Sequence, residues 1–166
     1  MIILGIDPGY AIVGIGVLDY RGGKLRPIEY NAITTHSSMA TSLRLKLIFE
    51  EIGMYLDKYK PDAVAIEELF FNSNQKTAIA VAQARGVLVA QTAVRDIPIY
   101  EYTPLQIKQS VTGYGRADKG QIQQMVKLLL GLNAVPKPDD AADALAVAIC
   151  HAHSAKTNDM LGTNRL

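Results

Sequence analysis

Apolar runs of strand length open the chain and predict an antiparallel meander. Residues 1–10 are apolar up to Asp7, where a Pro-Gly pair indicates a turn. A second run follows, and a Gly-Gly hairpin joins it to a third strand over residues 24–34. Two glycines in the second run, Gly14 and Gly16, would let another backbone or a ligand approach closely. The first strand therefore ends in a carboxylate, which on turn chemistry alone is most simply an Asx turn.

Helical periodicity follows the meander. Apolar positions recur at helical spacing over residues 38–60 and predict an amphipathic helix that ends before a proline, with Arg44 on its polar side. A short apolar strand follows over residues 63–66. Residues 72–96 predict a long helix, capped at Asn74. Its many small side chains favour close packing against another helix, either in this chain or in a second subunit.

A fifth strand and three further helices complete the predicted order. The strand covers residues 97–102, and Thr103 followed by proline begins a short helix. Asp118 and the glutamine three positions later have capping-box spacing, which predicts another helix from there to Leu130. The last helix begins among aspartates near residue 139 and is apolar thereafter. This order predicts an α/β fold in which helices cover a mixed sheet.

Composition and length indicate one intracellular domain. With 166 residues, 49% of them hydrophobic, the chain can bury a continuous core without disulfides or a structural metal. Its single cysteine, Cys150, falls in an apolar helical run and is predicted to be a buried thiol. No apolar run approaches the roughly 18 residues that span a membrane, and the chain starts directly in a strand. We therefore expect a single cytoplasmic domain over residues 1–166, with a short flexible tail from about residue 155.

The net charge of the chain is only +1, but one segment of it is basic. Between residues 105 and 137 the only acid is Asp118. The basic residues of this segment are Lys108, Arg116, Lys119, Lys127 and Lys137. Lys119 is unusual among them because a cation in the first turn of a helix opposes the positive end of the helix dipole. Such a misfit often marks a functional residue, whereas the alternative is an ordinary solvated lysine.

Acidic residues open the last predicted helix. Asp139 is best explained as a cap, since an aspartate at a helix start accepts hydrogen bonds from free N–H groups. Asp140 and Asp143 are three positions apart, so their Cβ atoms share one face at about 5–6 Å. Asp139 and Asp143 share a face as well, and spacing alone does not choose between the two pairs.

Acids also end two predicted strands, at Asp7 and at Glu67 or Glu68. In a mixed sheet the ends of the first and fourth strands can be neighbours, and the last helix can lay its first turn against them. Four carboxylates would then meet, and like charges so close together imply a bound cation. Ligands that are all oxygen favour hard ions such as Mg²⁺ or Mn²⁺ over Zn²⁺.

Five stretches of the chain carry a resemblance to a known family: GIDPGYAIVGIGV, AIEELFF, AQARGVL, EYTPLQIKQSVTGYGRADKGQIQQMV and PDDAADALAVAICHAH. In order and spacing they resemble the RuvC family of bacterial Holliday-junction resolvases, and the resemblance extends to about His153. It implies a ribonuclease H-like fold, a mixed five-stranded sheet with helices on both faces. It also implies a homodimeric endonuclease of recombination and repair that nicks two strands of a four-way DNA junction symmetrically, leaving 5′-phosphate and 3′-hydroxyl ends.

The same resemblance implies roles for individual residues and for partners. The catalytic, metal-binding acids would be Asp7, Glu67, Asp140 and Asp143, assisted by Lys119 as a further catalytic residue. The DNA-binding residues would be Phe70, which stacks on an unpaired base, Lys108 and Lys119, to which the basic segment adds Arg116. Two Mg²⁺ ions per active site are expected, with Mn²⁺ as a substitute. The implied partners are four-way junction DNA, a second copy of the chain and the branch-migration proteins RuvA and RuvB, with no membrane.

Three other functions agree with parts of the pattern. A nuclease of the same fold that acts on RNA or on an RNA-DNA hybrid would use a similar carboxylate cluster. An actin-like or sugar-kinase ATPase begins with the same strand, turn and glycine-spaced second strand, but it needs a second domain for which 166 residues leave no room. A non-catalytic junction-binding module would use the basic segment, and its acids would be helix caps.

Overall fold

The computed structural model contains one mixed five-stranded sheet. It describes the backbone of residues 1–69 and 75–166, and the side chains within these ranges other than residues 75–77 and 156–161. The strands are β1 (Ile2–Asp7), β2 (Ile12–Arg21), β3 (Lys24–Thr34), β4 (Ala63–Glu67) and β5 (Ile99–Tyr102). Their order is β3-β2-β1-β4-β5, antiparallel across the first three strands and parallel from β1 through β4 to β5. The first and fourth strands are therefore neighbours, as predicted.

Helices cover both faces of the sheet. They are α1 (Thr41–Tyr59), α2 (Gln75–Ala93), α3 (Pro104–Thr112), α4 (Lys119–Leu129) and α5 (Asp139–Leu161). Both predicted caps are confirmed, since the side chains of Thr103 and Asp118 each accept a hydrogen bond from the backbone N–H of the third helical residue. No helix within residues 1–69 and 75–166 is long and apolar enough to cross a membrane.

Some element boundaries differ from the sequence prediction. Helix α2 ends at Ala93 rather than near residue 96, and Asp96 takes a left-handed conformation with a φ of 55°. Helix α5 continues to Leu161, past the tail boundary placed near residue 155. Its last turns contain no glycine or proline before Gly162, so the sequence carries no helix-ending residue near 155. The predicted cap Asn74 lies outside the described residues.

Each face of the sheet carries its own core. The α1–α2 core, under α1 and α2, is built from large branched side chains, among them Ile48 and Ile52. The α5 core, under α3, α4 and α5, includes Ile3 and a long run of buried alanines from α5. Because side chains alternate along a strand, the positions of β1 and β4 that face α5 include their last residues, Asp7 and Glu67.

Glycines in β1 and β2 bring α5 close to the sheet. A Cβ at Gly14 would overlap the backbone carbonyl of Asp140, and one at Gly16 would lie 2.8 Å from the backbone nitrogen of Leu145. The backbone of α5 thus approaches both positions, which confirms the close approach predicted at these glycines. Gly5 of β1 also lies close to the backbone of α5. This contact was not predicted, because Gly5 lies within an apolar run.

Candidate active site

Asp7 and Glu67 come from neighbouring parallel strands. Ile6 and Ile66 are paired in the sheet, and each acid is the next residue along its strand, so both acids lie at the same edge. Both also belong to the face that α5 covers. Glu68 is not among the groups that perturb the pKa of either acid. The pairing of β1 with β4 therefore brings together the two strand-end acids that the sequence analysis selected.

The first turns of α5 add two more acids to this edge. Gly14 is paired with Asp7 in the sheet and lies directly under the backbone of Asp140. Asp140 is therefore held beside Asp7, and Asp143 lies one turn further along the same side of the helix. Both aspartates act electrostatically on Asp7. The structure thus brings all four predicted acids to one edge of the sheet.

Burial and mutual repulsion favour the protonated forms of the strand-end acids. The pKa of Asp7 is raised to about 8, first by burial and then by neighbouring acids, of which Glu67 contributes most. The pKa of Glu67 is raised to about 7 by burial and by Asp143, against the opposing charge of Lys108. At neutral pH the cluster therefore lacks enough positive charge to favour full ionisation.

Lys119 places one cation beside these acids. Its Nζ lies 3.0 Å from Oδ2 of Asp143 and 3.9 Å from Oδ2 of Asp139. The hydrogen bond with Asp143 raises the pKa of Lys119, while burial raises the pKa of Asp143 despite this lysine. The unfavourable position of Lys119 at the start of α4 is thus explained by the acids of α5 that face it.

Asp139 lies at the border of the cluster and has a partner of its own. The Nζ of Lys137 is 2.6 Å from its Oδ1, and this hydrogen bond lowers the pKa of Asp139. Asp139 is also more exposed, at 43% against 24% for Asp143. The backbone that lies over Gly14, the sheet partner of Asp7, is that of Asp140. The geometry therefore favours Asp140 as the neighbour of Asp7, a choice that spacing could not make.

The donor set fits a divalent cation in chemistry and in charge. Carboxylate oxygens are the ligands that Mg²⁺ and Mn²⁺ prefer, and added positive charge would stabilise the ionised forms of Asp7 and Glu67. Within the described part of the chain, however, no three Asp, Glu, His or Cys side chains lie close enough together to share one ion. A cation would therefore have to draw carboxylates together, and Lys119 would have to release Asp143 if that oxygen became a ligand.

Two clefts flank the acids. The lysine cleft, about 210 Å³, is lined by Glu67, Lys108, Lys119, Asp143 and apolar residues of α3, α4 and α5. The tyrosine cleft, about 370 Å³, is lined by residues 9–12, Ala80, Val81 and Asp140. Two of the predicted DNA-binding residues, both lysines, thus share a cleft with two acids. Arg116 is exposed and lines neither cleft, and Phe70 lies outside the described residues.

Tyr10 and Arg44 are features of this site that the sequence analysis missed. Arg44 was predicted on the polar side of α1, but the prediction is wrong, since only 8% of this residue is exposed. Its guanidinium group stacks on the ring of Tyr10. A usable signal was present in the sequence, because Arg44 precedes the buried Ile48 by four residues and therefore shares its face of the helix.

Comparisons with known proteins identify the family of this chain. The family model described as crossover junction endodeoxyribonuclease RuvC matches residues 3–151. A relative of that name from Alkaliphilus oremlandii is 61% identical over 160 residues, which cover 96% of this chain and 98% of the relative. Another from Clostridioides difficile is 59% identical over 161 residues, covering 97% of this chain and 95% of the relative.

Solved structures extend the comparison to the fold. Thermus thermophilus RuvC in complex with Holliday junction substrate is 34% identical and superposes with a TM-score of 0.92, covering 100% of this chain and 99% of that one. The yeast mitochondrial Holliday junction resolvase Ydc2, at 15% identity, shares the fold with a TM-score of 0.71 over 96% of this chain and 80% of its own. The ribonuclease H-like fold expected from the sequence is therefore confirmed.

Proposed function

This chain belongs to the RuvC family, and we propose that it is a crossover junction endodeoxyribonuclease that resolves four-way DNA (Holliday) junctions as a single domain. The observation that carries the proposal is the meeting of acids from β1, β4 and α5 at one sheet edge, beside a cleft that contains two lysines. Acids that hold cations and lysines that hold phosphates are the parts that phosphodiester cleavage needs. The T. thermophilus relative that covers the whole of this chain was solved with a Holliday junction substrate.

The enzyme is metal-dependent, and we propose that its site holds two Mg²⁺ ions, for which Mn²⁺ can substitute. The ligands would be oxygens of Asp7, Glu67, Asp140 and Asp143. Bound ions of this kind supply Lewis-acid stabilisation of charge on the phosphate and make a water molecule easier to deprotonate. The other three acids all act electrostatically on Asp7, so this carboxylate lies among the proposed ligands.

The lysines of the lysine cleft would act on the phosphate backbone. The side chain of Lys119 is 55% exposed, so its Nζ can turn from Asp143 towards a phosphate oxygen in the cleft. Lys108 lines the same cleft and would hold the substrate strand in register. We propose further backbone contact by Arg116 and stacking of Phe70 on an unpaired base at the crossover. Attack of water at phosphorus with departure of the 3′ oxygen leaves a 5′-phosphate and a 3′-hydroxyl.

A homodimer is the proposed working unit. The outward side of α2 carries small or apolar residues at helical spacing, among them Ile79, which is 67% exposed, and the exposed Ala82, Gly86 and Ala90. A helix with such a side can pack closely against its own copy. Two sites related by a two-fold axis would then cut two equivalent strands of the junction. Family membership also supports RuvA and RuvB as proposed partners and the cytoplasm as the proposed location.

The substrate class can be tested by incubating the protein with a four-way DNA junction, a linear duplex and an RNA-DNA hybrid, each in Mg²⁺ or in EDTA. We expect paired nicks that are confined to the junction in Mg²⁺ and absent in EDTA. Cutting of the hybrid instead would identify a ribonuclease of the same fold. Junction binding without cleavage would leave only a binding module, and both outcomes would contradict the proposal.

A further inference from the structure

A buried arginine supports the turn that follows Asp7. The Nε of Arg44 donates to Oγ1 of Thr35 at 2.8 Å, and its Nη2 donates to the carbonyl oxygen of Tyr10 at 3.3 Å. Thr35 donates from its Oγ1 to the same carbonyl at 2.7 Å, and from its backbone N–H to the carbonyl of Ala11 at 2.8 Å. The turn is therefore held at two consecutive carbonyl groups.

The guanidinium group of Arg44 also lies against an aromatic ring. Its Cζ is 3.7 Å from the centroid of the Tyr10 ring. Among the side chains that the structure describes, no carboxylate forms an ion pair with Arg44. Burial of a cation is costly, and here neutral oxygens and the ring take the place of a counter-charge. An apolar side chain would fill this space without that cost, so core packing alone does not explain the arginine.

The supported ring borders the tyrosine cleft. Arg44 covers one face of the Tyr10 ring, and the half-buried tyrosine contributes to the cleft wall. The cleft of about 370 Å³ is within the size range of small-ligand sites, and Ala80 and Val81 give it a small apolar wall. Asp140 belongs both to this cleft and to the acids around Asp7, so an occupant would lie next to the reacting phosphate.

We propose that the tyrosine cleft receives the nucleobase next to the scissile phosphate, that this base stacks on Tyr10, and that Arg44 is the positioning residue for the ring. The inference rests on the proposed function. A neutral, flat base suits apolar walls and an aromatic ring. A phosphate does not suit them, because Asp140 would repel it. The stack would set the register of the DNA strand at the cut, and with it the bases preferred there.

Abasic junctions test the stack on Tyr10. Single-turnover cleavage would be measured in Mg²⁺ with saturating enzyme on a series of junctions. Each junction lacks the base at one of the positions that flank the cut. We expect one such position to slow the wild type about tenfold, the usual order for loss of a base–aromatic stack. Tyr10→Ala should be about tenfold slower on the intact junction and lose no further rate at that abasic position. Tyr10→Phe, which keeps the ring, should behave as the wild type does.

Arg44 is tested by the same substrates. Arg44→Met should also lose its sensitivity to the abasic position, with a junction Kd within about threefold of the wild type, while Arg44→Lys regains part of the rate. Lys46→Met is the matched control, because Lys46 lies on the same helix and is 66% exposed. A merely structural role would lower the melting temperature and slow every junction equally, with the abasic effect intact, and would overturn the assignment.

The outcomes separate this inference from the proposed function. If Tyr10→Ala and the abasic substitutions act independently at every flanking position, the inference is overturned and the nuclease assignment stands. If the wild type does not cut the intact junction, both are overturned. Should Arg44→Met fail to fold, the comparison of Tyr10→Ala with Tyr10→Phe and the rate of Arg44→Lys still decide the result.

Discussion

Ile48 and Ile52 of α1 are fully buried against one face of the sheet, whereas the opposite face meets the alanine-rich α5 across glycines of β1 and β2. In the α1–α2 core, large side chains fill the space between helix and sheet. In the α5 core, backbone approaches backbone, and this closeness holds the aspartates of α5 beside Asp7. Large side chains thus separate helix from sheet on one face, whereas on the other face glycines of the sheet let the backbone of α5 come close.

This difference separates stability from catalysis. Burial of apolar volume in the α1–α2 core stabilises the fold without placing any of the four acids. Close packing in the α5 core instead gathers carboxylates whose burial raises the pKa of Asp7 and Glu67, which costs stability when they ionise. We therefore expect substitutions of the aliphatic side chains in the α1–α2 core, unlike those of Tyr10 and Arg44, to change mainly the free energy of unfolding, and substitutions in the α5 core to change cleavage.

The largest effect is expected for Asp7→Asn. Loss of this carboxylate should lower the junction cleavage rate by roughly a thousandfold or more, because the proposed cation site would lose one of its ligands. Junction binding, measured by gel shift, should stay within about threefold of the wild type. Asp57→Asn on α1, where the aspartate is 68% exposed, is the matched control and should cleave normally. Cleavage by Asp7→Asn within tenfold of the wild type would contradict the assignment.

A methyl group at Gly14 tests the close packing of α5. Its overlap with the carbonyl of Asp140 should displace the helix, lowering the free energy of unfolding by about 2 kcal/mol and the cleavage rate of folded protein by about a hundredfold. Ile52→Ala in the α1–α2 core is the counterpart. It should cost about 2–5 kcal/mol of stability while cleavage per folded molecule stays within about twofold. Equal rate losses in Gly14→Ala and Ile52→Ala would remove the distinction between the faces.

Replacement of Lys119 by methionine tests whether a positive charge next to the acids of the α5 face is needed for cleavage. We expect single-turnover cleavage to fall about tenfold, because the phosphate loses a cation next to the acids. Lys127→Met, on the same helix but outside the lining of the lysine cleft, should have little effect. A similar loss in both variants would mean that only the general positive charge of the segment matters.

The buried acids at the α5 face should make the stability of the protein depend on pH. In the folded state the pKa values of Asp7 and Glu67, about 8 and about 7, lie above their ordinary values of 3.8 and 4.5. The folded state therefore binds these protons more tightly, and the free energy of unfolding falls as pH rises from about 4 to about 8. In EDTA, urea unfolding should show a loss on the order of several kcal/mol over this range. Asp7→Asn should lose less, and an equal loss in both proteins would contradict the argument.

The smallest effect is expected for Arg116→Ala. An exposed arginine that meets only the DNA backbone should change the junction Kd by a fewfold at most and reduce the slope of log Kd against log salt by about one. The cleavage rate at saturation should not change. A large fall in that rate would place Arg116 at the site itself, in disagreement with its position outside both clefts.

Local chemistry explains what could be predicted from the sequence. The helix starts at Thr103 and Asp118 depend on residues three positions apart. The order of elements allowed the first and fourth strands to be neighbours, and the family resemblance chose Glu67 as the acid that ends the fourth strand. The choice of Asp140 over Asp139 required both the family resemblance and the contact of Gly14 with α5, because helical spacing allows either.

Long-range contacts explain what could not be predicted. Arg44 and Tyr10 are 34 residues apart, and no local pattern shows that an arginine of α1 reaches under the turn after β1. The tyrosine cleft likewise exists only because α2 lies opposite that turn. The contacts of long side chains, and the clefts between distant elements, depend on tertiary packing, which cannot be predicted from the periodicity of the sequence.

Thermal melting in the presence and absence of divalent metal most directly tests whether the acids at the α5 face form a cation site. In EDTA at neutral pH, Asp7→Asn should melt above the wild type, because the wild type must protonate Asp7 when it folds and asparagine avoids that cost. Mg²⁺ or Mn²⁺ should raise the midpoint of the wild type in a concentration-dependent way and leave that of Asp7→Asn unchanged. Equal shifts in both proteins, or none in the wild type at millimolar metal, would contradict the account.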